Sequence, residues 1–350
     1  MADRYLNPIV QEDLKRIMDA LPSRKKLYNK TVLVTGANGM LASYMVHFFM
    51  YLNDTEDAGI KIYALSRNEE ALRANFGFGT EKGSVKLLVQ DVTEPIAIDG
   101  ELDFVFHMAG MADPVSIMND PVGVIKANVM GTMNVLELAR KHGAEMVFTS
   151  TREVYGAMPY DPVKIREEDM GTLDNTDPRS CYPESKRLAE ALLVSYNKEY
   201  MVNYTNVRIA HAYGPGMRLN NDGRVMADFI SDAVSGRNIV MKSAGQALRS
   251  FIYVTDAVTG MLTALLNGGK SESYNLSNET EEISVRELAE LITELAPLDL
   301  KVVFDNSQDA SGYVKFKRVA LDTTKLEGLG WKPEVGLKEG IRRTIEFYTC

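Results

Sequence analysis

The chain has 350 residues, of which 45% are hydrophobic and 25% charged, and its formal net charge is −9. This composition is typical of one large or two modest globular domains. The acidic balance argues against a nucleic-acid-binding protein, which usually carries a basic face. No apolar run reaches the roughly 18 residues of a membrane span, and Asp3, Glu12 and Asp13 lie where a signal sequence is basic or apolar. We therefore expect a cytoplasmic protein that binds neither nucleic acid nor membrane.

The cysteine content excludes two further classes of protein. Cys181 and Cys350 are too few for a disulfide framework, and they lack the paired Cys/His spacing of a structural zinc site. We expect free thiols and no bound metal.

The predicted elements begin with an N-terminal helical extension, residues 1–29. Leu14, Ile17, Met18 and Leu21 lie at helical spacing, and Pro22 ends the pattern. We expect a short amphipathic helix that packs on the main domain or on a partner.

Short β-branched runs then alternate with helical patterns, which is typical of a parallel sheet built from βαβ units. Each of the first five predicted strands is followed by a segment that can be helical; the strands are 31–36, 61–66, 85–91, 103–110, 145–151 and 206–214. We predict an α/β fold with a doubly wound, parallel Rossmann sheet over residues 30–205. A smaller substrate-binding lobe is predicted mainly within 206–350, with some segments returning to the Rossmann domain.

A glycine-rich turn, TGANGMLA, joins the first predicted strand to an apolar helix. Gly36 and Gly39 permit a tight turn and the close approach of a pyrophosphate to the helix N-terminus, while Ala42 lets helix and strand pack closely. Such a turn alone is as often structural as functional, but here strand and helix flank it as dinucleotide binding requires. The predicted cofactor contacts in this turn are Gly36, Asn38, Gly39, Met40 and Leu41.

The end of the second predicted strand bears on the choice between NAD and NADP. NAD-binding proteins of this type usually carry an acidic residue there, whereas this chain has Ser66, Arg67 and Asn68. An arginine without a carboxylate suits a 2′-phosphate, so NADP stays open beside NAD, with an exposed arginine at a helix start as the alternative. Asp91, which closes the third predicted strand, could accept a hydrogen bond from the adenine amino group.

A second motif, CYPESKRLAE, places Tyr182 and Lys186 four residues apart on a predicted helix. That spacing puts both side chains on one face, one turn apart. An ammonium beside a phenol favours the phenolate, so we expect Lys186 to bring the pKa of Tyr182 toward neutrality. The tyrosine could then remove a hydroxyl proton while a hydride leaves the same carbon. The bare pattern occurs by chance in many helices, and the preceding dinucleotide turn is what makes it informative here.

From about Thr31 to Tyr348 the chain resembles the extended short-chain dehydrogenase/reductase family of nucleotide-sugar enzymes. The resemblance rests on the glycine turn, HMAG at 107–110, Asn128 in NVMGT, Thr151, the Tyr182 and Lys186 pair, RIAHAYGPG and YVTDAV. Among its branches, STREVYG, PRSCYPESKRLAE and NNDGRVMADFI are most similar to UDP-glucuronate decarboxylases, followed by 4,6-dehydratases and 4-epimerases. It implies a Rossmann domain that holds NAD or NADP, a nucleotide-binding lobe and a homodimer.

The resemblance also implies a shared first step on a nucleotide sugar, with a UDP-sugar expected. Tyr182 removes the proton of the sugar C4 hydroxyl, Lys186 tunes the tyrosine and holds the nicotinamide ribose, and Thr151 hydrogen-bonds the reacting oxygen, which yields a 4-keto sugar. Decarboxylases then lose CO₂, dehydratases eliminate water across C5 and C6, and epimerases turn the keto sugar over before reduction. Further cofactor contacts are expected at Val92, Met108, Ala109, Gly110, Asn128 and Ala210.

The run Thr151, Arg152 and Glu153 distinguishes these outcomes, because the family has a variable residue between the threonine and the glutamate. Dehydratases carry an aspartate there that protonates the leaving hydroxyl, and a guanidinium cannot replace it at working pH. Decarboxylases carry a serine there, and they share Glu153 and the arginine that accompanies the sugar carboxylate, which matches Arg249. The substitution disfavours dehydration.

Arg152 itself has two interpretations. It could pair with the carboxylate of an acidic sugar, although too firm a hold would oppose CO₂ loss. Alternatively it turns away from the sugar or pairs with Glu153. If the strand continues, alternation places Arg152 on the face opposite Thr151 and Glu153.

Three more substrate contacts are expected in the C-terminal half. His211 stands where this branch usually has an asparagine against the substrate diphosphate; it could donate a hydrogen bond or carry charge, or be a packed imidazole with a single bond. Arg218 and Arg224, in the loop MRLNNDGRV, are candidate diphosphate or nucleotide contacts, with unliganded surface arginines as the alternative.

The sequence therefore predicts an NAD(P)-dependent enzyme that begins by oxidising C4 of a nucleotide sugar. The favoured activity is like that of UDP-glucuronate decarboxylase. The alternatives are a 4-epimerase, a 4-keto-sugar reductase that consumes free NADPH, and a catalytically silent nucleotide-binding protein.

Overall fold

The computed structural model describes residues 4–158, 164–219, 223–305 and 320–349. Residues 220–222 of the predicted arginine loop, and Cys350, lie outside the described residues. The α-helices are α1 (Pro8–Asp19), α2 (Met40–Glu56), α3 (Glu69–Glu81), α4 (Pro114–Asn119), α5 (Pro121–His142), α6 (Cys181–Tyr200), α7 (Val225–Val234), α8 (Val254–Asn267), α9 (Val285–Leu295), α10 (Thr324–Glu327) and α11 (Leu337–Thr349). No helix among them is long and apolar enough to cross a bilayer.

The strands of the described residues form one large sheet and three short ribbons. They are β1 (Thr31–Thr35), β2 (Lys61–Ser66), β3 (Val85–Val89), β4 (Phe104–His107), β5 (Glu145–Thr151), β6 (Tyr204–Ile209), β7 (Ala212–Tyr213), β8 (Ile239–Met241), β9 (Leu248–Ser250), β10 (Ile252–Tyr253), β11 (Glu272–Leu276), β12 (Glu282–Ser284) and β13 (Val302–Phe304). The large sheet is entirely parallel, in the order β11-β6-β5-β4-β1-β2-β3. The predicted doubly wound α/β fold is confirmed.

Helices cover both faces of this sheet, because its strands are apolar on both sides. One buried cluster joins β1 and β2 to α2, α3 and α8, and a second joins β4 and β5 to α5 and α6. The strand order reverses between β1 and β4, and ligands of doubly wound folds bind at the strand ends beside such a reversal.

One predicted helix is absent. Residues 90–103 link β3 to β4 without a helix or strand. Pro95 and Gly100, both helix breakers, fall inside this stretch, and Gly100 has a positive φ of 87°.

The predicted strand 206–214 is interrupted. β6 ends at Ile209 and β7 begins at Ala212, with His211 between them at φ 38°. A non-glycine residue in this region turns the chain, so β7 leaves the sheet and pairs with β10 instead.

The N-terminal extension packs on the main domain. Asn7 caps α1 by accepting a hydrogen bond from the Ile9 amide, and Pro8 occupies the first helical turn. The apolar face, Val10, Leu14 and Ile17, is buried against α2 and α8.

Candidate active site

The glycine turn after β1 lies at the strand reversal. Gly36 has φ +69°, and a Cβ built on it would lie 2.7 Å from the Ala109 Cα and 2.8 Å from the Met108 carbonyl oxygen. Only glycine fits so close to a second backbone. Gly39 directly precedes α2, so the helix N-terminus opens at this turn, with Met40 and Leu41 half-buried in its first residues.

A buried network joins β1 to the HMAG segment. Thr35 Oγ1 accepts hydrogen bonds from the amides of Met108 and Ala109, at 3.1 and 3.2 Å, and lies 2.9 Å from His107 Nδ1. His107 Nε2 lies 3.1 Å from the Thr132 hydroxyl, which donates to the Asn128 carbonyl. This pattern is satisfied by a neutral imidazole protonated at Nε2, and burial lowers the pKa of His107 to about 3.

Asn128 leaves one polar atom without a partner. Its amide nitrogen donates to Ser185 Oγ at 2.9 Å, and the Ser185 hydroxyl donates to the Tyr182 carbonyl. The Asn128 Oδ1 atom is buried without a hydrogen bond among the described residues, and a Cβ built on Gly110 would lie 3.0 Å from it. A buried acceptor without a donor is costly, so this atom is suited to a ligand donor.

Tyr182 and Lys186 lie on α6, are both buried, and face the end of β5. The Lys186 ammonium donates to the Thr149 carbonyl at 2.8 Å and stands 4.6 Å from the centre of the Phe148 ring. Burial lowers the pKa of Lys186 to about 8. The Thr151 hydroxyl is close enough to the Tyr182 phenol to lower its pKa.

The predicted effect of Lys186 on the pKa of Tyr182 is not what the structure shows. Burial raises the pKa of the phenol above its usual range, and the charge of Glu153 raises it further. The Thr151 hydroxyl and the guanidinium groups of Arg179 and Arg152 act in the opposite direction. Low dielectric disfavours the phenolate more than the nearby cations favour it.

The alternation argument for Arg152 does not apply, because β5 ends at Thr151. Residues Arg152–Tyr155 form a 3₁₀ turn that Thr151 caps by accepting a hydrogen bond from the Glu153 amide at 3.2 Å. Successive side chains of a 3₁₀ turn differ by about 120° in direction, not by the 180° of a strand. Arg152 therefore enters the protein, where it is only 8% exposed.

Glu153 pairs with a residue that sequence reasoning missed. Arg179 donates from both terminal nitrogens to the Glu153 carboxylate, at 2.8 and 3.1 Å. Arg179 lies in the 3₁₀ turn Pro178–Ser180, directly before α6. Its position three residues before Tyr182 could have indicated this, since that places it beside Tyr182 at the start of α6.

Arg249 and His211 lie beside Arg152. The parallel register pairs Thr151 with Ile209, so the chain beyond β5 runs beside the chain beyond β6. His211 Nδ1 lies 3.1 Å from the Ser250 carbonyl, next to Arg249 on β9. Burial and the charge of Arg152 lower the pKa of Arg249 to about 10.

His211 is a neutral acceptor on its free side. Burial lowers its pKa well below the usual range, and the charges of Arg152 and Arg249 lower it further. The carbonyl of Ser250 can only accept, so Nδ1 carries the proton and Nε2 has none to donate. The ring also packs on Phe251, with centroids 5.4 Å apart. The imidazole is thus a packed one with a bond to the backbone, and the expected charge or donated bond to a diphosphate is not supported.

The predicted adenosine contacts gather at the end of β2. Asn38 donates to Ser66 Oγ at 2.9 Å and to the Asn68 carbonyl at 3.1 Å. Asn68 caps α3 through Ala71. The Arg67 side chain, 69% exposed, lies 3.5 Å from the Asp91 carboxylate, which also accepts bonds from Thr93.

The remaining predicted contacts are spread along the same edge and the lobe. Val92 is buried and its carbonyl accepts from Asn134, while the Ala210 amide donates to the Leu276 carbonyl. Arg218 is exposed, and Arg224 precedes α7 and donates to the Arg218 carbonyl at 3.3 Å. The structure therefore gathers Thr151, Arg152, Glu153, Tyr182, Lys186, His211 and Arg249, but among the described residues it shows no contact that ties Arg218 to this group. Within the described ranges, no cluster of three or more His, Cys, Asp or Glu could hold a metal ion.

Comparison with known proteins agrees with this geometry. The model of the NAD dependent epimerase/dehydratase family matches residues 32–277. UDP-glucuronic acid decarboxylase 6 of Arabidopsis thaliana is 34% identical over 322 residues, which cover 89% of this chain and 87% of that protein. UDP-glucuronic acid decarboxylase 1 of Xenopus tropicalis is 33% identical over 319 residues, covering 91% and 72% respectively.

Solved structures with the same fold include two enzymes of different activity. UDP-glucose 4-epimerase of Thermotoga maritima, solved with UDP-glucose, has a TM-score of 0.74 at 24% identity, covering 91% of this chain and 98% of that one. The dTDP-glucose 4,6-dehydratase of Streptomyces venezuelae, solved with NAD bound, has a TM-score of 0.77 at 23% identity, covering 91% and 96%. At these identities the likeness shows a shared fold.

Proposed function

The chain belongs to the NAD dependent epimerase/dehydratase family of enzymes, and we propose that it oxidises C4 of the sugar of a nucleoside diphosphate sugar. The observation that carries this proposal is the buried pair Tyr182 and Lys186, one helical turn apart on α6, with Lys186 bonded to the Thr149 carbonyl of β5 and Thr151 at the end of the same strand. A phenol, a hydroxyl and an ammonium so placed can move a proton to or from one sugar oxygen.

The site fits the nicotinamide cofactor of the family. The turn at Gly36 has no room for a Cβ, and α2 begins directly after it. Among the described residues, Asn128 Oδ1 has no hydrogen-bond donor, and it lies beside Gly110 and Lys186. The glycine turn and the start of α2 suit the pyrophosphate, and Asn128 offers a hydrogen-bond acceptor to the nicotinamide half of the cofactor. When bound, the cofactor accepts a hydride from the sugar C4 and returns it at the end of the reaction.

Tyr182 has a defined task in this scheme. It takes the C4 hydroxyl proton, Thr151 holds the oxygen in line, and the positive charges of Arg179 and Arg152 favour the phenolate against burial. Lys186, whose pKa of about 8 leaves it mostly protonated at neutral pH, supplies a further cation one turn along α6.

UDP-glucuronate decarboxylation is the leading outcome. In the 4-keto acid, the bond between C5 and the carboxylate breaks, its electron pair moves toward the C4 oxygen, and CO₂ leaves. A proton then reaches C5 before the keto group is reduced. The identity of 34% to UDP-glucuronic acid decarboxylase 6 supports this assignment, as do Glu153 and Arg249 at the sugar end.

A second outcome, 4-epimerisation, is favoured by one observation. Arg152 replaces the small serine that decarboxylases carry, and it is buried beside Thr151. A sugar carboxylate held by a second arginine survives more readily until the keto group is reduced from the opposite face.

Product analysis separates these outcomes. The purified protein is incubated with UDP-glucuronate, and products are identified by NMR. We expect a UDP-pentose or the 4-epimer without net consumption of cofactor, or a released 4-keto pentose with one oxidised cofactor reduced for each sugar. Stoichiometric use of added NADPH with a 4-keto sugar indicates the reductase, and absence of all these products excludes the proposed substrate.

Tyr182→Phe tests the assignment of the base. Removing the hydroxyl eliminates the proton acceptor, so we expect kcat to fall by about a hundredfold or more. Circular dichroism and cofactor binding should match the wild-type protein, since the ring is retained. A near-normal rate would show that another group is the base.

A further inference from the structure

Among the described residues, Arg152 is a buried cation without a partner. Its side chain is 8% exposed, and none of its five N–H donors makes a hydrogen bond or ion pair with the described part of the chain. Burial lowers the pKa of this arginine, and the charges of Glu153 and Glu279 raise it. A buried guanidinium is normally paired.

The nearby carboxylates are engaged elsewhere. Glu153 is held by both terminal nitrogens of Arg179, at 2.8 and 3.1 Å. Glu279 accepts from the Ser250 hydroxyl at 2.8 Å and from the Leu321 amide at 3.1 Å. Both carboxylates favour the charged guanidinium from a distance, but among the described residues neither forms an ion pair with Arg152 within 4.0 Å.

The other charged neighbours, Arg179 and Arg249, are positive. The register of β5 with β6 ends at the pair Thr151 and Ile209, so Arg152 and His211 both follow neighbouring strand ends, and His211 is bonded to the Ser250 carbonyl next to Arg249. His211 is neutral there and leaves its Nε2 lone pair free of a proton. Two guanidinium groups in one buried region repel each other unless an anion lies between them.

The position identifies the anion. Arg152 directly follows Thr151, which lies near the Tyr182 phenol and faces the reacting C4 oxygen in the proposed function. The group on a sugar that lies two bonds from C4 and carries a negative charge is a carboxylate on C5. A planar carboxylate also matches the two-pronged geometry of guanidinium donors.

We infer that Arg152 is a specificity-determining residue that binds the C5 carboxylate of the sugar together with Arg249 and slows its loss as CO₂. This inference rests on the proposed function. Arg152 then controls how much of the 4-keto acid loses CO₂ and how much is reduced back to a hexuronate.

The chemistry gives the direction of the effect. As the bond between C5 and the carboxylate breaks, negative charge leaves the carboxylate oxygens and builds on the C4 oxygen. An arginine on the carboxylate stabilises charge that disappears in the transition state, so it raises the barrier to CO₂ loss. Thr151 and Tyr182, at the C4 oxygen, stabilise charge that appears there. The charge of Arg152 also favours the Tyr182 phenolate, so its removal should slow proton transfer at C4 as well. That step precedes both products, so the ratio of products isolates the effect on CO₂ loss.

The first test is the ratio of products. Arg152→Ser removes the charge, and Arg152→Lys keeps the charge but cannot form a bidentate pair with a carboxylate. With UDP-glucuronate, we expect the ratio of pentose to hexuronate products, measured by NMR at equal conversion, to rise about fivefold or more in the serine variant, and less in the lysine variant. An unchanged or lower ratio overturns the inference.

Measuring the affinity for two nucleotide sugars tests the inference even if the protein shows no turnover. Equilibrium titration compares UDP-glucuronate with UDP-glucose, which has a hydroxymethyl group in place of the carboxylate. We expect wild-type protein to prefer UDP-glucuronate, and Arg152→Ser to weaken that ligand about tenfold while UDP-glucose binds as before. Equal binding of both sugars by the wild-type protein, or a preference that survives the substitution, overturns the inference.

The controls distinguish failure of the proposed function from failure of the proposed carboxylate site. Arg286→Ser removes an exposed arginine of α9, paired with Glu290 at 2.9 Å, and should change neither ratio nor preference. Thermal unfolding shows whether each variant is folded. Binding preference without oxidation of UDP-glucuronate refutes the proposed function and leaves the carboxylate site standing, whereas oxidation with an unaltered ratio and preference refutes the carboxylate site alone.

Discussion

Arg179 explains how two opposite charges can be adjacent in sequence without neutralising each other. Its bidentate pair with Glu153 fixes the carboxylate toward the loop before α6. Glu153 and Arg152 belong to a 3₁₀ turn, in which neighbouring side chains diverge. Glu153 is thus paired with Arg179 and forms no ion pair with Arg152.

Arg67 is the residue that bears on cofactor choice. It is largely exposed at the end of β2, its contact with Asp91 is long at 3.5 Å, and β2 ends at Ser66 instead of an acid. Exposed pairs are worth little, so a 2′-phosphate can displace Asp91.

Arg67→Ala tests whether this arginine recognises NADP. We expect the dissociation constant for NADP, measured by titration calorimetry, to rise about tenfold because a charged hydrogen bond to the phosphate is lost. The constant for NAD should stay the same. Tighter binding of NAD than NADP, with no effect of the substitution, would rule out the 2′-phosphate interpretation.

At the scale of elements, the first turns of α6 and the last residues of β5 supply most of the site. The β5 register with β6 and the contacts between α5 and α6 hold these two segments together. A 3.6-residue period brings Tyr182 and Lys186 onto one buried face, with Ser185 linking the helix to Asn128. The site is therefore built on rigid elements, and the adjoining lobe adds Arg249 and His211.

The start of α8 contains a buried acid with a shifted pKa. Asp256 accepts a hydrogen bond from the Val335 amide at 3.0 Å, and burial raises its pKa from 3.8 to about 6. The folded protein therefore binds more protons than the unfolded chain between about pH 4 and pH 6. Stability contributed by protonated Asp256 is present at the lower end of this range and is lost as pH rises through 6.

Asp256→Asn should remove that pH dependence. We expect the free energy of unfolding of the variant, relative to the wild type, to increase by about 2 kcal/mol from pH 4 to pH 7, whatever constant offset the amide introduces. Urea unfolding at several pH values measures the difference. A difference independent of pH would show that Asp256 titrates normally in the folded protein.

The N-terminal extension is joined to the opposite end of the chain through a buried ion pair. Asp13 is fully buried, and its carboxylate accepts from Arg343 at 2.8 Å and from the hydroxyls of Tyr44 and Tyr253, both also at 2.8 Å. Burial alone would lower the pKa of Arg343, but Asp13 raises it above its usual range. Four elements, α1, α2, β10 and α11, meet at one carboxylate.

At the scale of the whole molecule, α5 and α6 present an apolar outer surface. Exposed apolar side chains on this surface are Val122, Ile125, Met130, Met133, Leu188 and Val194. The two helices pack side by side on one face of the sheet. Contiguous exposed apolar area is typical of an interface, and we propose that two copies of the chain pair through it as a homodimer.

Met133→Asp tests this interface. A two-fold axis repeats the charge on both copies, so we expect the protein to change from dimer to monomer in light scattering after size exclusion. Leu298→Asp, at an exposed apolar residue outside these helices, should leave the dimer intact. A monomeric wild-type protein, or a variant that stays dimeric, would contradict the proposal.

Sequence periodicity and motif spacing were sufficient for the sheet, the cofactor turn and the pairing of Tyr182 with Lys186. Alternating βα segments admit few topologies, and positions 36, 39, 182 and 186 depend on local geometry that the sequence encodes directly. The missing helix at 90–103 was predictable from Pro95 and Gly100, and the interruption at His211 was not.

Only the tertiary structure decided the charges of the site. The Glu153 and Arg179 pair joins residues 26 positions apart, and the meeting of Arg152 with Arg249 depends on the register of β5 with β6 and on the turn at His211. Burial, which reversed the predicted pKa shift of Tyr182, is likewise a property of packing. Local spacing determined which side chains share one face of a helix, whereas long-range packing determined which charged groups form ion pairs and which are buried without one.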